Sequence, residues 1–300
     1  MSETEIRTGA DVRPPVSGPE PQVAERPRRG RGGKWPLTVL LLFVSLSILF
    51  PLYITVTTAL KTPAEAAEGS LAFPSDPQWG NFPDAIEVTS FPRALFSSLV
   101  ITVFAVGLTI LTNSMVAYAI ARNMHRGFFK GLYFYFISAL FVPFAIIMLP
   151  IAKETSLLYL DNRVGLIFLY VIFGLSLNIF IYVGYLRSIP KELEEAAVID
   201  GASVWVTFWR VIFPLLTPIN ATVGIIMTVW VWNDFMLPLV MLSERDSFTL
   251  PLVQYVFQSQ FTTDYSLAFA SYLMALTPLL IVYIVAQRWV IGGVTRGAVK

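Results

Sequence analysis

The sequence has 300 residues, of which 55% are hydrophobic and 14% charged, and its mean hydropathy is +0.66. A soluble globular domain has about 25% charged residues, so this composition predicts an integral membrane protein. The chain has no cysteine and one histidine, His125, which excludes disulfides and leaves little material for a metal site. Its 21 Lys and Arg nearly balance its 20 Asp and Glu, so the overall charge does not favour a nucleic-acid partner.

Residues 1–34 are rich in Pro, Arg and Glu and contain no apolar run. Such a segment buries too little apolar surface to offset the entropy cost of folding, so it is predicted to be a disordered, basic cytoplasmic tail. A cleavable signal peptide would place its charged region nearer the start of the chain, whereas the first apolar run here, residues 36–60, is long enough to span a bilayer. We therefore expect it to be retained as a membrane span and not removed as a signal peptide.

Residues 35–300 are predicted to form an all-α membrane domain with six transmembrane helices. A helix needs about 20 apolar residues to cross the hydrocarbon core. Runs of that length fall at about 36–60, 95–121, 131–151, 165–187, 213–242 and 267–290.

The distribution of Lys and Arg predicts that both termini are cytoplasmic. In that orientation, all but five of these residues lie in the N-terminal tail, the inner loops or the C-terminal end. The five on the outside are Lys61, Arg93, Lys153, Arg163 and Arg245. The positive-inside rule favours this arrangement, which makes the segment 188–212 between spans four and five a cytoplasmic loop.

This loop is predicted to contain two short helices joined by a tight bend. Ser188 and Pro190 suit the start of the first helix, whose Glu-rich first turns match the positive end of a helix dipole. Gly201 suits the left-handed conformation that ends a helix, and Ser203 suits the cap of a second helix. The aromatic residues Trp205, Phe208 and Trp209 would then lie at the membrane interface.

The loop resembles a known motif. Glu195-Ala196-Ala197 is followed by three residues, Gly201, nine residues and then Val211-Ile212-Phe213-Pro214. This is similar to the EAA loop of ABC-importer permease subunits, with Val and Phe in place of the motif's Ile and Leu. The stretch SIPKELEEAAVIDGAS is similar to carbohydrate-importer permeases, particularly the smaller permease of the maltose-transporter type. Further similar stretches are TNSMVAYAIAR (112–122), ALFVPFAIIMLPI (139–151), WNDFMLPLVML (232–242) and QRWVIGGVTRGAVK (287–300).

The resemblance implies that the loop is a coupling helix seated in a cleft of a cytoplasmic ATPase subunit. Glu195 would pair with a basic group there, Ala196 and Ala197 would permit close approach, and Gly201 would supply the bend. Asp200 belongs to the same segment. The alternative is an interfacial loop that only links two spans.

The chain has no Gly-x-x-x-x-Gly-Lys-Ser/Thr phosphate loop, so no cofactor is expected in it. The resemblance implies that two partner ATPase subunits bind ATP and Mg, that a second permease completes the path, and that an extracellular solute-binding protein delivers a sugar. Alternating access would then move the sugar across the bacterial inner membrane, where the chain contacts lipid.

Several polar and aromatic residues in the predicted spans are candidates for contact with substrate. Asp234 is the only acidic residue in any of these spans, and ionisable groups there are usually functional. Trp230 and Trp232 could stack on sugar rings, with Asn233 beside them, although an interfacial aromatic belt is the alternative. Asn113, near Thr109, and Asn178, near Ser176, could bind sugar hydroxyls or instead join helices by polar contacts.

Three other functions remain to be compared with a sugar importer. A permease for another small solute, such as a polyol or glycerol phosphate, fits the same motif. A self-sufficient secondary transporter would be expected to show inverted repeats or intramembrane charge pairs, and neither is evident. An intramembrane enzyme would need paired acids, a His cluster or a Ser/His pair in its spans, which this sequence lacks.

Overall fold

The computed structural model describes residues 35–69, 71–257 and 264–298. These residues form helices, turns and loops, with no β-strand among them. The described chain divides into two units, the first ending at Leu49 and the second beginning at Phe50. The predicted disordered tail, residues 1–34, lies outside the described residues.

Fourteen α-helices are present in the described residues. Their bounds are α1 Trp35–Ala59, α2 Pro63–Ala67, α3 Asn81–Thr89, α4 Phe91–Arg122, α5 Gly127–Ser138, α6 Phe144–Leu157, α7 Arg163–Leu186, α8 Glu192–Ile199, α9 Val204–Thr207, α10 Phe213–Leu215, α11 Thr217–Asn233, α12 Met236–Met241, α13 Leu250–Gln254 and α14 Tyr265–Ala298. Short 3₁₀ turns cover Ala139–Phe141, Arg245–Ser247 and Tyr255–Phe257, and a π-helical turn covers Phe208–Ile212.

The main core lies where α4, α7 and α11 pack together. Helices in lipid gain little from the hydrophobic effect when they associate, so small residues that allow close approach are favoured at their contacts. The buried side of α4 follows this rule, with mostly small residues recurring every three or four positions: Ala94, Ser97, Ser98, Ile101, Thr102, Ala105, Thr109, Asn113, Ser114, Ala117 and Ile120. Larger side chains from the neighbouring helices, including Tyr170, Ile179 and Met227, fill the remaining space.

Four helices are long and apolar enough to cross a membrane, and the number reaches six if each of two bent pairs is one span. The four are α1, α4, α7 and the Tyr265–Ile284 part of α14. They correspond to the first, second, fourth and sixth predicted spans. The described structure is therefore that of a membrane-embedded, all-helical protein.

The third and fifth predicted runs are not single helices. Gly127–Phe141 and Phe144–Leu157 meet at 104°, and the break falls at Val142, which is extended (ψ 112°) because it precedes Pro143. Val204–Leu215 and Thr217–Asn233 meet at 74°. The fifth run also stops at Asn233, since Asp234 is extended (ψ 128°) and separates α11 from α12.

The segment between α1 and α4 is ordered by local caps. At the start of α2, Thr62 and Glu65 form a reciprocal capping box. Hydrogen bonds donated by Ser75 and by the Thr62 backbone N–H hold the pKa of Glu65 below its usual value. The segment then forms α3 and reaches α4 through Ser90, which has a left-handed backbone (φ 49°).

Gly165 is a position at which any side chain is expected to lower the stability of the protein. It lies in the first turn of α7, where its N–H donates to Asn162 Oδ1 (3.2 Å), and a Cβ there would come within 1.9 Å of the Leu160 carbonyl oxygen. Because that neighbour is backbone, relief requires the chain to move, so we expect Gly165→Ala to cost roughly 1–3 kcal/mol. Gly184→Ala is the matched control, since open space surrounds Gly184 on the same helix. Thermal unfolding of the detergent-solubilised variants measures the difference, and equal stability of the two would contradict the prediction.

Candidate functional site

The segment from α8 to α10 has the two-helix form expected from its sequence. The first helix, α8, ends in a Schellman motif: the Gly201 N–H donates to the Val198 carbonyl (3.0 Å) and the Ala202 N–H to the Ala197 carbonyl (2.9 Å). Gly201 has φ +83°, as that motif requires, and Asp200 is the exposed residue before it. The chain therefore turns sharply between α8 and α9.

The second helix, α9, is capped by Ser203, whose Oγ accepts a hydrogen bond from the Val206 N–H (3.3 Å). The expectation that Ser188 starts the first helix was wrong. The Ser188 hydroxyl donates to the Tyr185 carbonyl (2.7 Å) at the end of α7, and α8 begins only at Glu192.

The aromatic residues after Ser203 divide between the surface and the core. Trp205 is exposed, as an interfacial residue would be, but Phe208 is buried. The Phe208 ring packs against Tyr118 of α4, with ring centroids 5.3 Å apart, and against Trp209 at 5.0 Å. Phe208 therefore anchors this segment to the core and does not lie at an interface.

The side of α8 that faces the core carries an ion pair. Glu194 Oε1 accepts a hydrogen bond from Arg122 Nε at 2.6 Å and forms an ion pair with Nη2 at 2.6 Å, and Glu194 Oε2 accepts a hydrogen bond from the Tyr118 hydroxyl at 2.8 Å. The side chains of Arg122 and Glu194 are only 13% and 16% exposed. Sequence reasoning missed this contact, since it considered Glu194 only as one of three acids in a first helical turn.

The rest of the surface of α8 is largely exposed. Glu195 and Ala196 are exposed and Ala197 is half-buried. The apolar residues around the bend are also exposed, with Ile199 at 85% and Val204 at 71%. Isolated apolar side chains on a surface need no explanation, but a contiguous group beside small residues is typical of a protein contact. We call this exposed side of α8 and α9 the ridge, comprising Glu195, Ala196, Val198, Ile199, Val204 and Trp205.

A second feature is a cavity of about 540 Å³ at the break between the 3₁₀ turn Ala139–Phe141 and α6. It is lined by α7, the end of α11 and α12 as well, and includes Trp230, Asp234, Phe173 and Ser176. Its volume falls within the range of about 300–1,000 Å³ that is usual for small-molecule sites.

Asp234 is held in place at this cavity. Its Oδ2 accepts a hydrogen bond from the Tyr170 hydroxyl (2.9 Å) and its Oδ1 accepts one from the Met236 N–H (3.1 Å). Trp230 lies edge-on to the Tyr170 ring, with centroids 5.4 Å apart and planes at 83°. Because a carboxylate has about four acceptor sites, Asp234 can still accept hydrogen bonds from a ligand.

The structure separates Trp232 and Asn233 from this cavity. Trp232 is buried and its indole N–H donates to the Ala275 carbonyl of α14 (3.3 Å), while the Asn233 amide donates to the Val229 carbonyl (2.8 Å). Both line a smaller space of about 200 Å³ near α13 and α14. Of these four residues, Trp230 and Asp234 thus line the 540 Å³ cavity, whereas Trp232 and Asn233 line the smaller space.

Asn113 and Asn178 have no exposed surface and are not among the lining residues of either cavity. The Asn113 Oδ1 accepts a hydrogen bond from the Thr112 hydroxyl (3.2 Å), whereas the Asn178 side-chain amide has no hydrogen-bond partner among the described residues. Both side chains lie within the helix packing in this conformation.

Comparison with known proteins identifies the family. Residues 113–296 match the model of the binding-protein-dependent transport system inner membrane component. The chain is 41% identical over 265 residues to the multiple sugar-binding transport system permease protein MsmG of Streptococcus mutans, covering 87% of this chain and 95% of that protein. It is 36% identical over 267 residues to the probable starch degradation products transport system permease protein AmyC of Thermoanaerobacterium thermosulfurigenes, covering 89% and 97%.

The fold also matches a solved structure. A chain in the crystal structure of a bacterial ABC transporter involved in the import of the acidic polysaccharide alginate superimposes with a TM-score of 0.73 at 22% identity, covering 85% of this chain and 95% of that one. At that identity the likeness is one of fold. Together with the family match and the two relatives, it shows that this chain belongs to the binding-protein-dependent inner membrane components, the permease subunits of ABC transporters.

Proposed function

We propose that this chain is a permease subunit of an ATP-driven importer for sugars, such as disaccharides or oligosaccharides. Its family consists of transport subunits and not of enzymes. The names of its relatives refer to multiple sugars and to starch degradation products. The observation that carries the proposal is the segment after α7, which is bonded to the core through Glu194 and exposes the ridge of apolar and small residues.

The proposed topology has six spans with both termini in the cytoplasm of a bacterial cell. Counting each bent helix pair as one span supports the number six. The excess of Lys and Arg in the segments that would face inward supports the orientation. This arrangement puts the ridge on the cytoplasmic side and the start of α4 on the outside.

We assign the ridge to contact with an ATPase subunit. Glu195 would pair with a basic group, Ala196 and Ala197 would allow close approach, and Asp200 and Gly201 would set the bend. ATP and Mg would be bound by two such ATPase subunits and not by this chain. A second permease would complete the path, and a solute-binding protein would deliver the sugar, in keeping with the family's description as binding-protein-dependent.

The cavity at Trp230 and Asp234 is proposed as this subunit's part of the sugar path. An aromatic face suits the C–H face of a sugar ring, and a carboxylate accepts hydrogen bonds from its hydroxyls. The lining residues include one acid and no Lys or Arg. That charge favours a neutral sugar over glycerol phosphate, since a phosphate beside Asp234 would be repelled.

Replacing Ala196 with arginine tests the assignment of the ridge. We expect Ala196→Arg to reduce the ATPase recovered with the purified importer by about tenfold, because a long charged side chain blocks close approach at a protein contact. Ala67→Arg is the matched control, since Ala67 is an exposed helical alanine outside the ridge. The measurement is the ratio of ATPase to permease after purification in detergent.

Two results would contradict the proposal. Equal ATPase recovery with Ala196→Arg and Ala67→Arg would remove the ridge from the ATPase contact. Purification of the wild-type chain without an ATPase, together with unaided sugar transport in liposomes, would instead identify a secondary transporter.

A further inference from the structure

Three groups from distant parts of the sequence meet behind the ridge. Arg122 ends α4, Tyr118 lies one turn earlier on the same helix, and Glu194 is in the first turn of α8. The Glu194 carboxylate accepts hydrogen bonds from both of the other side chains at 2.6–2.8 Å. We call these three residues the Arg122 cluster.

Arg122 also contacts the end of α7. Arg122 Nη1 donates to the Leu186 carbonyl (3.0 Å) and Arg122 Nη2 to the Ile189 carbonyl (3.3 Å). These carbonyls lie at and just after the end of the helix, and the Leu186 carbonyl also accepts a hydrogen bond from the Ile189 N–H (3.3 Å). One guanidinium therefore joins three elements: α4, the end of α7 and α8.

The contacts of Arg122 make this junction stiff. A guanidinium is planar and presents its donors in a fixed fork, so α8 cannot rotate about its axis without breaking bonds to Arg122. The low exposure of both charged side chains also limits screening by salt. An exposed pair would contribute little, but removing one member of a largely buried pair leaves the other charge without its partner.

We propose that Glu194 is a positioning residue that transmits movement of α8 to α4 through Arg122. This rests on the proposed function, in which an ATPase moves the ridge. Glu195 and Glu194 are neighbours in α8 but then have separate roles: the exposed Glu195 contacts the ATPase, and the largely buried Glu194 carries the movement into the membrane domain. Tyr118 holds the second carboxylate oxygen and fixes the angle of the side chain.

The test is to measure coupling separately from ATP hydrolysis. The complete importer, with its ATPase subunits and loaded binding protein, is reconstituted in liposomes with Glu194→Gln, Arg122→Lys or Glu195→Gln. Radiolabelled maltotriose, raffinose and cellotriose serve as probes, and the one that wild type transports fastest is used. Sugar uptake and ATP hydrolysis are recorded together.

We expect Glu194→Gln to lower the sugar moved per ATP by about tenfold while the ATPase stays bound and hydrolysis remains within about twofold of wild type. Arg122→Lys keeps the positive charge but loses the planar, forked set of donors. The sugar moved per ATP by this variant should therefore lie between the values for wild type and Glu194→Gln. Glu195→Gln should instead reduce ATPase recovery, because it alters the ridge. This separation of uptake from hydrolysis is a change that simple loss of folded protein does not produce.

Two results would overturn the inference. One is unchanged sugar moved per ATP in Glu194→Gln. The other is a parallel loss of ATPase binding, hydrolysis and uptake, which would show that Glu194 only maintains the shape of the ridge. If wild type itself fails to couple ATP hydrolysis to uptake of any of the three sugars, the proposed function fails, which is a different outcome from either of these.

Discussion

Replacing Gly201 with valine is expected to lower ATP-driven sugar uptake by about tenfold. Gly201 has φ +83°, a left-handed conformation that costs a residue with a side chain about 1–2 kcal/mol and is least tolerated by β-branched residues. A difference of that size changes the ratio of two conformations by a factor of about 5–30. The ratio of bent to unbent molecules would therefore fall by that factor, and in the unbent molecules α9 would leave its position relative to α8. Uptake and ATPase recovery are measured in the reconstituted importer.

The chain allows the backbone effect to be separated from a steric one. A Cβ at Gly201 would meet no other atom within 4 Å, so valine is not expected to clash. Asparagine tolerates the left-handed conformation far better than valine, and Gly201→Asn should keep most of the uptake. Similar losses in the two variants would indicate that any side chain at this position blocks the ATPase, and would argue against the backbone explanation.

The bend could be predicted because its signals are local in sequence. A glycine after an eight-residue helix and a serine two residues later specify a Schellman motif and an N-cap through contacts that span at most five residues. The Arg122 cluster could not be predicted in this way. Arg122 and Glu194 are separated by 72 positions, and nothing in a single sequence says that the ends of α4 and α7 lie next to α8. Glu195 belongs to the EAA-like motif and Glu194 does not, so the motif points to Glu195 alone.

The apolar runs predicted where helices occur, but not where they break. Composition reports only that a run is long enough to cross a membrane, and both bent pairs satisfy that condition. Pro143 accounts for the extended backbone of Val142, yet a proline does not fix a turn of 104°. The break at Asp234 had no such signal, although it places this acid beside the cavity.

The roles of the polar residues in the predicted spans could not be predicted from sequence either. Asn113, Asn178, Trp232 and Asp234 all carry polar groups in apolar surroundings, so sequence alone treats them alike. Their roles depend on which side of a helix faces a cavity, and that is decided by packing. Trp232 uses its N–H on the Ala275 carbonyl, whereas Asp234 keeps acceptor capacity at the cavity.

Asp234→Asn is expected to reduce sugar uptake by tenfold or more without a comparable loss of ATP hydrolysis. A hydrogen bond to a charged group contributes about 1.5–3 kcal/mol, and each 1.4 kcal/mol corresponds to about a tenfold change in affinity. The substitution preserves the size of the side chain while removing its charge. Trp230→Leu should give a similar loss through the missing aromatic face, and Trp232→Phe is the control because Trp232 lines the other space.

Selectivity distinguishes a role in binding from a role in helix packing. If Asp234 contacts the sugar, Asp234→Asn should weaken uptake of neutral trisaccharides and reduce the discrimination against glycerol phosphate, since the repelling charge is gone. If Asp234 only supports α12 through the Met236 N–H, all solutes should be affected in the same proportion and thermal stability should fall in parallel. A uniform loss of that kind would remove Asp234 from the sugar path and leave Trp230 as the residue through which this cavity recognises a sugar ring.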